Sequence, residues 1–315
     1  MNILYKLLNK IDWNINVSRS RKELAKNKFQ VLNFDDSLNY LIDSKCSLAR
    51  YGDGEFTLLL NGEFLCPRNL SLGFQDADQQ LKKRLVEILN DSNVDQFNLK
   101  IAVPRTLVDI DHKNLTDSAI GFWQHYLHEL FYKVSSFLKK DYQYLNSQIS
   151  RFYFDDRNKK QEVIENRISL WKTLWENQDL LIIEGEGSNL GANNGLYDNT
   201  KSIQRIKCPN SNAFGHYDEI LSSAKEFGKN KMILISLGPT ATVLAYDLAK
   251  EGYRALDTGY LEMEYHFFLT KATEDSAISG IRISEVESIE NDPFPAYQGD
   301  FKETDVVLRI PNFIQ

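Results

Sequence analysis

Met232-Ile233-Leu234-Ile235-Ser236, then Gly238-Pro239 and the run Thr240 to Lys250, then Tyr253-Arg254-Ala255-Leu256-Asp257: this stretch decides the fold. The first five residues form a short run with no polar alternation, the pattern of a strand buried on both faces. Pro239 stands where a first helical residue belongs, because its missing N–H is an orphan there anyway. A second short strand follows the helix. Strand, helix and strand in this order predict a parallel sheet with helices on both faces.

The same alternation extends outward. Leu180-Leu181-Ile182-Ile183 reads as a strand fed by a helix over Gln161 to Trp175, and Leu99 to Val103 reads as a strand before Pro104. Leu81, Leu85, Ile88 and Leu89 lie at helical spacing within Asp76 to Asn90, Ala119 to Lys140 is aromatic-rich and helical in pattern, and Asp35-Asp36 caps a helix through Ile42. A strand from Ser47 to Tyr51 comes next, and Val306 to Ile310 reads as an edge strand. The expectation is one α/β domain over residues 35–270, a basic N-terminal appendage over 1–34 and a C-terminal extension over 271–315 packed on the domain.

Composition narrows the partners. The chain has 315 residues, 42% of them hydrophobic, enough for a sizeable core. A net charge of −7 argues against nucleic-acid binding, which needs a basic footprint. Seven Lys and Arg among the first thirty residues, against Asp12 and Glu23, set that segment apart, with Ile3, Leu4, Leu7, Leu8 and Ile11 at helical spacing. Such a helix packs on its own domain or lies on an anionic membrane surface. Three cysteines, Cys46, Cys66 and Cys208, without a Cys-x-x-Cys spacing fit a reducing, cytoplasmic setting. No apolar run approaches the ~18 residues of a membrane span, so any membrane contact is expected to be peripheral, at the inner face. The aromatic stretch Phe122 to Tyr132 suits a homo-oligomer contact as well as a core.

The chemistry begins at Arg50-Tyr51-Gly52-Asp53-Gly54-Glu55. In an extended or tightly turned segment, side chains two apart leave the same side, so Asp53 and Glu55 are expected to face one divalent ion. Hard cations such as Mn²⁺ or Mg²⁺ are held by one or two carboxylates and the phosphate oxygens of a substrate, which points to a nucleoside diphosphate. Gly52 and Gly54 leave room for that ligand beside the main chain. An Asp-Gly turn or a helix cap is the plainer alternative.

Other segments supply phosphate donors. Gly238, Pro239, Thr240 and Thr242 form a strand-to-helix corner whose backbone N–H groups and hydroxyls suit an anion, or simply cap a helix. Asn199, Lys201 and Arg205 follow, with Lys201 and Arg205 expected to share a helix face. Glu262 and Glu264, after the strand ending at Asp257, are the candidates for a general base on an acceptor hydroxyl. Gly185-Glu186-Gly187-Ser188-Asn189-Leu190-Gly191 invites an NAD(P)-dependent oxidoreductase reading, but its glycine spacing departs by one from the G-x-G-x-x-G fingerprint.

Taken together, Arg50 to Phe56, Gly73-Phe74-Gln75, Asn199 to Ile203 with Cys208-Pro209, Tyr217 to Ile220, Gly238 to Ala249 and Glu264-Tyr265 resemble the bacterial GT-D-type glycosyltransferases. That resemblance implies a Rossmann-like core and an Asp-x-Glu metal loop after its first strand, with Mn²⁺ or Mg²⁺ at Asp53 and Glu55. It also implies transfer of a sugar, often glucose, from a UDP-sugar to an acceptor glycan or glycosylated protein in protein glycosylation or surface polysaccharide synthesis. Catalytic roles are expected at Asp53, Glu262 and Glu264. Where the family pattern has a His and an Asp before the last Glu, this chain has Tyr260 and Glu262, which moves the expected base away from position 260. A non-catalytic UDP-sugar-binding subunit of a transferase complex is the third reading.

Overall fold

The computed structural model describes residues 29–60, residues 75–272 apart from 130, 187, 189, 190, 192 and 193, and residues 305–311. The strands are β1 (Gln30–Val31), β2 (Ser47–Arg50), β3 (Leu99–Val103), β4 (Gln143–Asn146), β5 (Asp179–Gly185), β6 (Ser202–Cys208), β7 (Met232–Ser236), β8 (Arg254–Asp257) and β9 (Val306–Arg309). They form one sheet in the order β1-β4-β3-β2-β8-β7-β5-β6-β9, and all neighbouring pairs are parallel. The longer helices are α1 (Phe34–Ser44), α2 (Asp53–Leu59), α3 (Gln79–Asn90), α4 (Asp117–Glu129), α5 (Gln161–Leu174), α6 (Tyr217–Phe227), α7 (Pro239–Lys250) and α8 (Leu261–Thr270).

Local chemistry sets the boundaries. Asn33, rather than Asp35 or Asp36, caps α1 by accepting from Asp36 N at 2.8 Å. Asp78 Oδ1 accepts from Gln80 N and Leu81 N at 2.7 and 2.8 Å, so α3 starts at Gln79 and not near Asp76. Leu81, Leu85, Ile88 and Leu89 are fully buried as their spacing requires, each worth about 1.5–3 kcal/mol over exposure. Period-two alternation then divides the core. Leu48, Leu180, Ile182, Leu234 and Leu256 pack on one face with Leu38, Leu41, Ile164 and Trp171. Leu181, Ile183, Ile206, Ile233 and Ile235 pack on the other, against Leu244 and Leu248 of α7.

Several strands were not legible. β6 was expected as a basic helix face, but Ser202 to Cys208 pairs along its whole length with β5. Its misleading charges are internal: Arg205 and Lys207 are buried beside Glu184, with Arg205 Nη1 2.5 Å and Lys207 Nζ 2.9 Å from Glu184 Oε1. Gln30–Val31, expected within the appendage, pairs with β4 instead. Val306–Arg309, by contrast, is the edge strand its sequence predicts, at the opposite edge beside β6. The basic amphipathic segment, Cys66 and most of the C-terminal extension lie outside the described residues. Among the described residues, no helix is long and apolar enough to cross a membrane.

Candidate active-site cleft

All-parallel pairing brings every carboxyl end to one edge of the sheet, where open α/β folds place ligands. A cleft opens there. Its wall includes Arg50 at the end of β2, Ser147 after β4, Gly185 at the end of β5, Ser236 at the end of β7 with Leu237-Gly238 beyond it, Gly259-Tyr260 after β8, and Asp53-Gly54-Glu55 at the start of α2.

Asp53 and Glu55 do line this cleft, but not as an extended pair. The segment is the first turn of α2, in which residues two apart lie about 200° apart around the axis. Glu55 Oε2 accepts from Gly52 N at 2.6 Å and closes the helix start. Burial, with Asp257 adding repulsion and Arg50 opposing, pushes the Glu55 carboxyl up to about 7. Asp53 is different: its side chain is open to solvent and accepts from no other side chain among the described residues. Although it meets water, crowding by the cleft walls raises its pKa above the ordinary aspartate range, against the pull of Arg151 and then Arg50.

Arg50 is held on two sides. Its Nε lies 3.3 Å from Asp257 Oδ1 and its Nη1 donates to Ser147 O at 3.0 Å. Gly259, at φ +52°, lets the guanidinium pass: a Cβ there would stand 1.8 Å from Arg50 Nη2. Asp257 also accepts from Gly259 N at 3.1 Å, and its Oδ2 stands 3.2 Å from Thr242 Oγ1, so strand, turn and helix meet around one carboxylate.

The phosphate corner is narrower than expected. Gly238, at φ +52° and ψ −141°, turns β7 into α7 and lines the cleft. Pro239, Thr240 and Thr242 are buried and stand outside the lining, and the Thr242 hydroxyl donates to Arg50 O at 2.8 Å. Asn199 and Lys201 precede β6 and so lie at the opposite edge of the sheet. Asn199 Nδ2 donates to Lys172 O, and Lys201 pairs with Asp179 at 2.9 Å. Arg205 sits mid-strand on Glu184, away from the cleft lining.

Of the two candidate bases only Glu262 lines the cleft. Tyr197 Oη donates to its Oε1, its Oε2 has no hydrogen-bond partner among the described residues, and burial pushes its carboxyl up to about 7 against the Tyr197 bond. Glu264 is 1% exposed, and its Oε2 accepts from Tyr153 N and Phe154 N at 2.7 and 2.8 Å. It anchors the loop after β4 rather than facing the cleft.

That loop carries a residue that sequence reasoning missed. Arg151 lines the cleft, forked onto Asp155 with Nε at 2.8 Å from Oδ2 and Nη2 at 3.1 Å from Oδ1, and lies 5.3 Å from the centre of the Tyr260 ring. Burial works against its charge, but Asp155 and then Glu264 overcome it and hold the guanidinium above its usual range. Its only local signal was the Arg-x-x-x-Asp spacing. Without recognition of β4, nothing placed it at the carboxyl edge.

A sequence model of the family described as "Glycosyltransferase GT-D fold" matches residues 48–286. The chain is 33% identical over 255 residues to "Glycosyltransferase GlyD" of Streptococcus pneumoniae serotype 4, a match covering 80% of this chain and 29% of that protein. It is 33% identical over 257 residues to "Probable glycosyl transferase Gly" of Streptococcus gordonii, covering 82% and 36%. The chain thus spans about a third of the length of these curated relatives. A solved structure of the domain of unknown function 1792, described as having a distinct glycosyltransferase fold, superposes with a TM-score of 0.76 at 32% identity, covering 94% of this chain and all of that one. Another, a new glycosyltransferase from Streptococcus sanguinis, gives 0.74 at 32% identity, covering 90% of this chain and all of that one. The family match over most of the chain and the shared fold of solved neighbours at 32% identity agree, and the chain belongs to the GT-D-fold glycosyltransferase family.

Proposed function

We propose that the cleft transfers a sugar, with glucose as the first candidate, from a UDP-sugar to an acceptor glycan or glycosylated protein, with Mn²⁺ or Mg²⁺ bound at Asp53. The observation that carries this reading is Asp53 itself: a solvent-open carboxylate in the first turn of a cleft-facing helix, with Arg50 and Arg151 near enough to act on its charge. Its donor set suits a hard cation, whose remaining positions go to waters and diphosphate oxygens. Glu55 supports the site from the cleft wall while its Oε2 caps Gly52. When bound, the cation neutralises charge on the departing diphosphate.

The chain's own groups do the rest. Gly238 and the flanking backbone leave room for phosphate oxygens at the start of α7, where the helix dipole favours negative charge. Glu262, with a carboxyl near 7 and one oxygen already held by Tyr197, takes the acceptor hydroxyl proton at its Oε2. Glu264 serves by fixing the Arg151 loop. Family membership favours this reading over an NAD(P)-dependent oxidoreductase, while a non-catalytic UDP-sugar-binding subunit would bind donor without turning it over.

Incubation with UDP-glucose and other UDP-sugars, Mn²⁺ and acceptor, with release of UDP measured, tests the reading. Asp53→Ala should lower transfer by orders of magnitude at an unchanged unfolding temperature, because a solvent-open carboxylate in a helix's first turn contributes little to the core. A folded Asp53→Ala protein transferring at the wild-type rate would refute it. UDP binding that survives exhaustive chelation unchanged would remove the cation from the proposal.

A further inference from the structure

Two arginines line the cleft, and they are in different states. Arg50 spends Nε on Asp257 and Nη1 on Ser147 O, packs Nη2 over Gly259, and has a side chain only 11% exposed. Arg151 spends Nε and Nη2 on the two oxygens of Asp155 and leaves Nη1 with no hydrogen-bond partner among the described residues, on a side chain 34% exposed. The Tyr260 ring limits its plane, and the loop beneath it is pinned by Glu264 through Tyr153 N and Phe154 N. An arginine fixed along one edge, with a bare edge in a cleft, is pre-organised for an oxyanion, since little side-chain freedom remains to be lost on binding.

We infer that Arg151 is the phosphate clamp of the cleft, its Nη1 edge donating to a non-bridging oxygen of a nucleoside diphosphate, with Asp155 as the positioning residue that aims it. This rests on the transferase reading above. It replaces Lys201 and Arg205, which the fold removes from the site. The competing role is local: Arg151 neutralises Asp53 and touches no substrate.

Calorimetric titration of UDP and of uridine, each with Mn²⁺ present, separates these roles in wild type, Arg151→Gln, Arg151→Lys and Asp155→Asn. A charge-assisted hydrogen bond is worth about 1.5–3 kcal/mol, so Arg151→Gln should weaken UDP roughly 10- to 150-fold. Uridine, lacking phosphate, should bind all four proteins alike. Arg151→Lys, which keeps charge but not the fork, and Asp155→Asn, which loosens the aim, should fall between. These two carry the test should Arg151→Gln fail to fold. Equal UDP affinity across folded variants, or Arg151→Gln tightening Mn²⁺ with UDP unchanged, overturns the clamp alone. Wild-type protein that binds no UDP with Mn²⁺ overturns the transferase reading and the clamp with it.

Discussion

Replacing Glu264 distinguishes an anchor from a catalytic base. Its Oε2 accepts from two main-chain N–H groups, Tyr153 at 2.7 Å and Phe154 at 2.8 Å, in a site where the carboxyl is 1% exposed. Glu264→Ala strands both donors. A buried donor without a partner costs about 1–3 kcal/mol, and Phe154 N is only partly buried, so the loss should be about 2–5 kcal/mol. At roughly 2 °C per kcal/mol for a chain of this size, the unfolding temperature should fall by about 4–10 °C.

Glu264→Gln keeps an acceptor oxygen and should lose far less. It should also change the pH dependence with a definite sign. Burial raises the Glu264 carboxyl from 4.5 to about 7, with Arg151 opposing. Between those values the folded state holds a proton that the unfolded state has released, so this group's contribution is complete below 4.5 and is lost as pH climbs through about 7. The shift corresponds to a loss on the order of 3 kcal/mol across that window. Gln cannot ionise, so the difference between Glu264→Gln and wild type should move in the mutant's favour from pH 5 to pH 8, measured by chemical denaturation at each pH. Parallel stability curves, or a Glu264→Ala protein as stable as wild type yet inactive, would refute the anchor and restore the base.

Two further substitutions test the geometry. Gly259→Ala places a methyl group 1.8 Å from Arg50 Nη2 at a φ of +52°, so backbone strain of about 1–3 kcal/mol adds to displacement of the guanidinium. The expected result is a lower unfolding temperature with weakened donor binding, and retention of both would show that Arg50 need not pass over this turn. Lys201→Ala breaks only an exposed ion pair to Asp179 at the far edge of the sheet, so stability should change by less than about 0.5 kcal/mol, with donor KM unaltered. A raised KM would place Lys201 back in the site.

What the chain determines by itself is whatever short-range pattern controls. Met232–Ser236 and Pro239–Lys250 are read correctly because apolar strands buried on both faces and a Pro-started helix have few alternative conformations. The cleft edge followed from parallel strand order, and Asp53, Gly238 and Glu262 followed from their positions after strands. Where long-range pairing cancels a local signal, sequence alone failed. Arg205 reads with Lys201 as a basic helix face until Glu184, brought alongside by β5, makes the burial of Arg205 and Lys207 tolerable.

For Asp53 and Glu55 the local sequence allows an extended or tightly turned pair as well as a turn or a helix cap, and only the fold shows Glu55 capping Gly52 at the start of a helix. Glu262 and Glu264 are chemically equal in sequence. Only the turn of α8 and the loop after β4 send the first to the cleft and the second to two backbone N–H groups. Arg151 became visible only when a four-residue strand set it at the carboxyl edge and Asp155 and Tyr260 fixed its plane. Propensity and periodicity act over a few residues, whereas the pairing of a charge with a partner a hundred positions away exists only after the chain has folded.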